Sequence, residues 1–153
     1  MLKGMNHLLN ADLLHALAAM GHGDTIAIVD ANFPAASTAQ RLLQVGGANA
    51  PAVLDAVLTV FPLDTFSVPA AITMEVVGAP DDVPAAVAGF ASVFTRHDLA
   101  DVEIGRLPRD AFYQRAREAF AVVLTGELRP YGNIILVKGV LSTDEREPGK
   151  DTP

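Results

Sequence analysis

The sequence predicts one α/β domain with a mixed, mostly parallel sheet flanked by helices. Three observations predict it. Short β-branched runs alternate with amphipathic segments along the whole chain. The length of 153 residues suits one domain, and such a chain buries a sizeable core without cross-links. No internal repeat, low-complexity block or interdomain linker interrupts the pattern.

The elements follow in order. Asn10 is a good helix N-cap, and Leu13, Leu14, Leu17 and Met20 recur at helical spacing behind it. Gly21 is placed to supply a left-handed C-cap. Asp24 to Asp30 is a β-branched run that reads as a buried strand, broken by Asn32-Phe33-Pro34. Residues 40–45 fit either a strand or one helical turn, ended by Gly46-Gly47. Ala50-Pro51 opens a helix to about Leu58, since proline suits the first turn. Val68 to Val77 is strand-like. Asp81 and Asp82 read as an N-terminal cap of a helix that runs to about Phe94. Val102 to Ile104 is a short strand, and Pro108-Arg109-Asp110 opens a helix to about Ala119. Ala121 to Leu124 and Asn133 to Val137 are the last strands, and the turn from Gly126 to Gly132 suggests that they form a hairpin. The predicted domain spans residues 1–140, and residues 141–153, polar with two prolines, read as a disordered tail.

Composition narrows the function. A net charge of −7 and a pI near 4.9 disfavour nucleic acid and anionic membranes, which need clustered positive charge. The absence of cysteine excludes disulfides, thiolate metal sites and cysteine nucleophiles. The start of the chain lacks a basic cluster leading into an apolar run, and no apolar stretch nears the ~18 residues of a membrane span. A cytoplasmic protein is the expectation. At 50% apolar and 19% charged, the chain carries less charge than the ~25% usual for a soluble domain. Burial of surface between copies of the chain accounts for this, and so does an alanine-rich surface.

Four common signatures are missing: GxGxxG, the Walker A loop, the GxSxG elbow and HExxH. Two segments are informative. In Gly21-His22-Gly23-Asp24, the glycines let the chain turn sharply and leave the imidazole of His22 uncrowded, while Asp30 ends the following strand. Strand C-termini are where open α/β sheets place ligand-contacting groups, and a histidine with a carboxylate forms a workable acid/base and hydroxyl-binding set. On spacing alone the ordinary reading takes precedence, with His22 a helix-end cation and Asp30 a cap or turn residue. The second segment, Gly126 to Asn133, offers a phenol, a flexible glycine and a carboxamide in Tyr131-Gly132-Asn133. These suit the C–H faces and hydroxyls of a sugar, but they are also ordinary turn residues. Arg106, Arg109, Tyr113 and Arg115 cluster near the start of the last helix. A cation at Arg109 opposes the helix dipole, which favours a ligand or interface role over a solvated basic patch by a little. His15 and His97 read as surface histidines, and no set of metal ligands is evident.

At these residues the sequence resembles the D-ribose pyranase / L-fucose mutarotase family. The matching stretches are Leu17 to Asp24 with Asp30 to Pro34, Ala111 to Ala116, Thr125-Gly126-Glu127, and Tyr131 to Leu136. The similarity is collinear from the first residues to about Val140. The resemblance implies a sugar mutarotase, interconverting α and β anomers of a monosaccharide without metal or cofactor. It places the acid/base histidine at His22, and substrate-binding positions at Asp30, Arg109, Tyr131, Gly132 and Asn133. Arg109 with Ala-Phe-Tyr after Asp110, together with Gly-His-Gly-Asp and Asn-Phe-Pro, is closer to the fucose branch than to the ribose branch. The resemblance further implies a ring-shaped homo-oligomer, commonly a decamer, with sites at subunit contacts. A D-ribose pyranase and a non-enzymatic sugar-binding accessory protein of a transport system are the alternatives.

Overall fold

Asn10 caps the first helix, α1 (Ala11–Ala19), and its side-chain oxygen accepts a hydrogen bond from the Leu13 N–H at 2.9 Å. A computed structural model describes residues 2–141; the expected tail, beyond Leu141, lies outside the described residues. After α1 come β1 (Thr25–Val29), a four-residue helix α2 (Ala35–Thr38), β2 (Leu42–Val45) and α3 (Ala50–Leu58). Then follow β3 (Ala71–Met74), α4 (Ala85–Arg96), β4 (Ile104–Leu107), α5 (Arg109–Glu118), β5 (Ala121–Thr125) and β6 (Ile134–Val137). Asn49 caps α3 through the Ala52 N–H, with Pro51 in the first turn.

The six strands form one sheet in the order β2-β5-β1-β6-β3-β4. Three pairings are parallel (β1 with β5, β2 with β5, β3 with β4), and the two made by β6 are antiparallel. The sheet is therefore mixed and mostly parallel, as the sequence suggests. The hairpin is not formed. β1 lies between β5 and β6, pairing Ile28 with Val123 on one side and with Ile134 on the other. The segment between β5 and β6 is long enough to cross the end of β1, where the Ala31 N–H donates to the Glu127 carbonyl at 2.9 Å.

Both faces of the sheet are covered. Along β1, Ile26 and Ile28 face a core shared with Leu13, Leu54, Phe90 and Phe94, from α1, α3 and α4. Ala27 and Val29 face the opposite core with Phe112 and Ala116 of α5. All five β1 residues are buried, as a central strand covered on both sides requires.

Other expectations are adjusted. Gly21 is not a left-handed cap: α1 ends on an extended Met20, and the positive φ falls on Gly23 at +83°. The reason is a tight turn, in which the Gly21 N–H donates to the Asp24 carboxylate at 2.7 Å. Residues 40–45 resolve to a strand, because β5 offers its free edge to Leu42–Val45. The strand expected from Val68 to Val77 contracts to Ala71–Met74, and Val68 and Val77 are exposed outside it. Asp81 and Asp82 do not cap α4; Pro84 holds the cap position with no side-chain bond. The strand near Val102 shifts to Ile104–Leu107, and α2 is an element that sequence reading missed.

The parallel strands give the sheet two chemically different edges. The C-terminal ends of β1 to β5 and the start of β6 lie along one edge. Their N-terminal ends and the finish of β6 lie along the other.

Candidate functional site

The C-terminal edge is built around Asp30, the residue after β1. Its backbone N–H donates to Asn133 Oδ1 at 2.9 Å, and Asn133 Nδ2 donates back to Asp30 Oδ2 at 2.9 Å. Asp30 Oδ1 accepts from the Asn32 N–H at 3.0 Å. Both side chains are buried, yet each carboxylate oxygen keeps lone-pair capacity beyond these bonds. Asn133 thus reads the end of β1 and aims the carboxylate of Asp30.

Tyr131 precedes this pair with a positive φ of +60°, and its phenol oxygen accepts from the Val77 N–H at 3.1 Å. That bond ties the 126–133 segment to the loop after β3. Gly132 has no room for a side chain: a Cβ would lie 2.6 Å from Glu127 Cγ and 3.3 Å from the Arg129 carbonyl. The segment is pinned by Glu127, whose buried carboxylate receives the Arg129 guanidinium at 2.7 and 2.8 Å and the Arg129 N–H at 2.9 Å. These bonds, the Arg129 side chain foremost, hold the Glu127 carboxyl below its ordinary pKa and raise that of Arg129. Arg109, first residue of α5, is exposed on the same edge and lines an open hollow of about 330 Å³ with Glu75, Val77 and Pro108.

The remaining members of the basic cluster disperse. Arg106 donates to the Pro80 carbonyl at 2.9 Å, Arg115 is exposed, and Tyr113 packs edge-on against Phe33 with ring centres 5.1 Å apart.

His22 lies on the opposite edge. It follows α1, and its neighbour Gly23 donates to the Lys138 carbonyl just past the end of β6. The imidazole is 56% exposed and opens onto a hollow of about 490 Å³, lined in part by Leu17, Pro62 and Lys138. From Thr25 to Asp30 the chain rises about 3.3 Å per residue, roughly 16 Å in all. Within one chain the structure therefore does not bring His22 together with Asp30, Arg109, Tyr131, Gly132 and Asn133. The five substrate-binding candidates share one edge, and His22 lies at the other, since it precedes β1 and Asp30 follows it.

His22 does have a carboxylate neighbour, and sequence reading missed it. His22 Nε2 is 3.5 Å from Asp64 Oδ2, and the Asp64 side chain is 2% exposed. Asp64 accepts from Ser67 Oγ at 2.5 Å and from the Phe66 N–H at 3.0 Å. These two donors, Ser67 first, hold its carboxyl below the usual value. The sequence carries a local signal, an Asp with a Ser three residues on, as in a side-chain-stabilised turn. Nothing in the spacing ties that turn to His22. His15 is exposed on α1, whereas His97 is half-buried and bonds Asp55 of α3 at 3.0 Å. Among the described residues no group of three or more His, Asp or Glu side chains converges as metal ligands would.

The sequence profile of the RbsD / FucU transport protein family matches residues 3–141. The chain is 42% identical to the fucose mutarotase of Homo sapiens over 92% of its own length and 95% of the relative's. It is 36% identical to the L-fucose mutarotase of Histophilus somni over 92% of its length and 97% of that protein. Its fold matches the crystal structure of the fucose mutarotase from Streptococcus pneumoniae in complex with L-fucose, with a TM-score of 0.86 and 40% identity, covering 92% of this chain and all of that one. With its fold and nearly its whole length shared in this way, the chain belongs to the RbsD / FucU family.

Proposed function

We propose that this chain is an L-fucose mutarotase, an isomerase that interconverts the α and β anomers of L-fucose or a closely related sugar. Its near full-length kinship with fucose mutarotases carries the reading. The chemistry needs a proton moved from the anomeric hydroxyl to the ring oxygen. The C1–ring oxygen bond breaks as the C1 carbonyl forms. The open aldehyde turns and the ring recloses on its other face, with the proton returned. Bond orders and oxidation state are unchanged overall. A histidine is the natural shuttle near neutral pH, and His22 is assigned that role. Asp30 binds sugar hydroxyls, and Arg109, Tyr131, Gly132 and Asn133 fix the ring so that His22 meets the right oxygens.

The two-edge geometry supports a site shared between copies. The His22 edge of one protomer meets the Asp30 edge of the next. Each edge carries exposed apolar residues suited to such a contact: Val60, Phe66 and Val68 on the first, Val77, Val83 and Leu128 on the second. Joining two different edges is a head-to-tail contact, which gives a ring where its rotation closes and an open filament where it does not. Of these we take the ring-shaped homo-oligomer, with ten subunits, because the family resemblance implies both. No helix among the described residues is long and apolar enough to cross a membrane, and a cytoplasmic location is part of the proposal.

Saturation-transfer NMR tests the activity. Accelerated exchange between the anomeric signals of L-fucose is the expected result. Exchange between pyranose and furanose signals of D-ribose alone would reassign the chain as a pyranase. Sugar-induced shifts without faster exchange would reduce it to a binding protein. His22→Ala should slow the exchange by roughly 10²-fold or more. Sharing of the site is tested by mixing His22→Ala with Asp30→Asn chains after dissociation. Random reassembly restores an intact His22 edge facing an intact Asp30 edge at about a quarter of contacts. Recovery of activity on mixing is expected, and its absence at wild-type oligomer mass would refute the shared site.

A further inference from the structure

We propose that Glu127 is the positioning residue of the sugar-binding edge: it holds Asp30 in place against Tyr131 and Asn133, so that the three meet one sugar together. This rests on the mutarotase reading of that edge. The Thr125-Gly126-Glu127 stretch carries none of the groups assigned to the sugar, yet both of its polar side chains are buried.

The stretch grips the backbone on both sides of Asp30. Thr125 Oγ1 donates to the Val29 carbonyl at 2.8 Å and accepts from the Glu127 N–H at 3.2 Å. The Glu127 carbonyl in turn accepts from the Ala31 N–H at 2.9 Å. Between these two bonds the Asp30 N–H donates to Asn133 Oδ1, and the Asp30 carbonyl accepts from the Phe33 N–H at 3.1 Å. Every backbone polar group from the Val29 carbonyl to the Ala31 N–H is therefore taken. The carboxylate of Asp30 emerges from a fixed point, and its own bonds to Asn32 and Asn133 set its direction.

The side chain of Glu127 reaches the other half of the edge. Its Cγ fills the space beside Gly132, where a Cβ would lie 2.6 Å from it, and Gly132 stands between Tyr131 and Asn133. A buried carboxylate is costly unless donors surround it. Here the donors belong to Arg129: the guanidinium at 2.7 and 2.8 Å and the backbone N–H at 2.9 Å. That ion pair fixes the chain two residues before Tyr131 takes its positive φ. One residue thus holds Asp30 through its backbone and Tyr131-Gly132-Asn133 through its side chain. Asp30 and Asn133 are 103 residues apart, and groups from such distant segments need a common support to act on one ligand.

The test uses the whole chain carrying Glu127→Gln, which keeps the size of the side chain and removes its charge. Saturation transfer is measured over a range of L-fucose concentrations, well below the melting transition and at wild-type oligomer mass. KM should rise about tenfold while kcat stays within about threefold, because loosened groups hold the ground state and the transition state alike. His97→Ala serves as the control, since it weakens the fold away from this edge, and its KM should match wild type. An unchanged KM in Glu127→Gln, or an equal rise in His97→Ala, would make Glu127 merely structural and overturn the proposal. Should Glu127→Gln not assemble, Arg129→Ala decides: a KM raised about threefold or more is expected, and an unchanged KM overturns the proposal. If wild-type chain exchanges no sugar, the mutarotase reading fails instead. The side-chain amide signals of Asn133 then decide the positioning: they should move in Glu127→Gln and stay in His97→Ala, and unmoved signals in Glu127→Gln would refute it.

Discussion

Replacing Asn133 with alanine tests the C-terminal edge most directly. The carboxamide accepts from the Asp30 backbone N–H and donates to the Asp30 carboxylate, each at 2.9 Å, where both side chains are 4% exposed or less. Asn133→Ala leaves a buried N–H without a partner, at about 1–3 kcal/mol, and removes a hydrogen bond to a charged group, at about 1.5–3 kcal/mol. The adjoining Asn32 is exposed, so water reaches the vacated space and returns part of this loss. A net destabilisation of about 3 kcal/mol follows, lowering Tm by roughly 6–12 °C for a chain of this size. Asn133→Asp keeps an acceptor for the N–H but sets a second carboxylate oxygen against Asp30, so it should be no more stable than the alanine variant near neutral pH. The assay is reversible unfolding in urea at fixed protein concentration, because assembly contributes to apparent stability. The midpoint should fall without a change in m. An Asn133→Ala midpoint within about 0.5 kcal/mol of wild type, or full rescue by Asn133→Asp, would refute the reasoning.

Three further outcomes are expected. The folded pKa of Glu127 lies below its ordinary value, 4.5, so its contribution to stability is complete above that pH and is lost as pH falls through the folded value. Glu127→Gln should therefore be less stable by about 1–2 kcal/mol at pH 7, a figure reduced because Arg129 is 44% exposed, with the gap closing in acid during thermal melts. Gly126→Ala drives a Cβ to 2.6 Å from the Gly46 carbonyl oxygen and 3.2 Å from that of Ala48, so calorimetry should show a loss of about 2 kcal/mol or more, whereas Gly47→Ala, in open space, should stay within about 0.5 kcal/mol. His97→Ala, which loses the bond between α4 and Asp55, should cost about 1 kcal/mol in stability, while His15→Ala costs nothing measurable and neither alters the sugar exchange rate.

What was legible in the sequence was local. Asn10 caps α1 through a bond to a residue three positions away, and Pro51 sets the first turn of α3; both act within one helical turn and are readable there. The apolar run of β1 announces a strand covered on both faces, since no polar face interrupts it. Residue types also singled out Asp30 and Asn133. Their mutual bonds across 103 residues were not readable, because they depend on β6 lying beside β1. The hairpin inference failed for the same reason: adjacency in sequence favours β5 against β6, but tertiary packing inserts β1 between them.

By itself the sequence determined most of the element types, though not α2 or β2, together with the charge balance, the absence of thiol chemistry and, through its motifs, the family. Only the tertiary structure decided which groups meet. It paired His22 with Asp64, because the chain after β6 supports both, and it parted His22 from Asp30 by the length of a rigid strand. Strand geometry at about 3.3 Å per residue cannot bend two ends of a central, hydrogen-bonded strand together, so the two halves of the chemistry face opposite edges of the sheet.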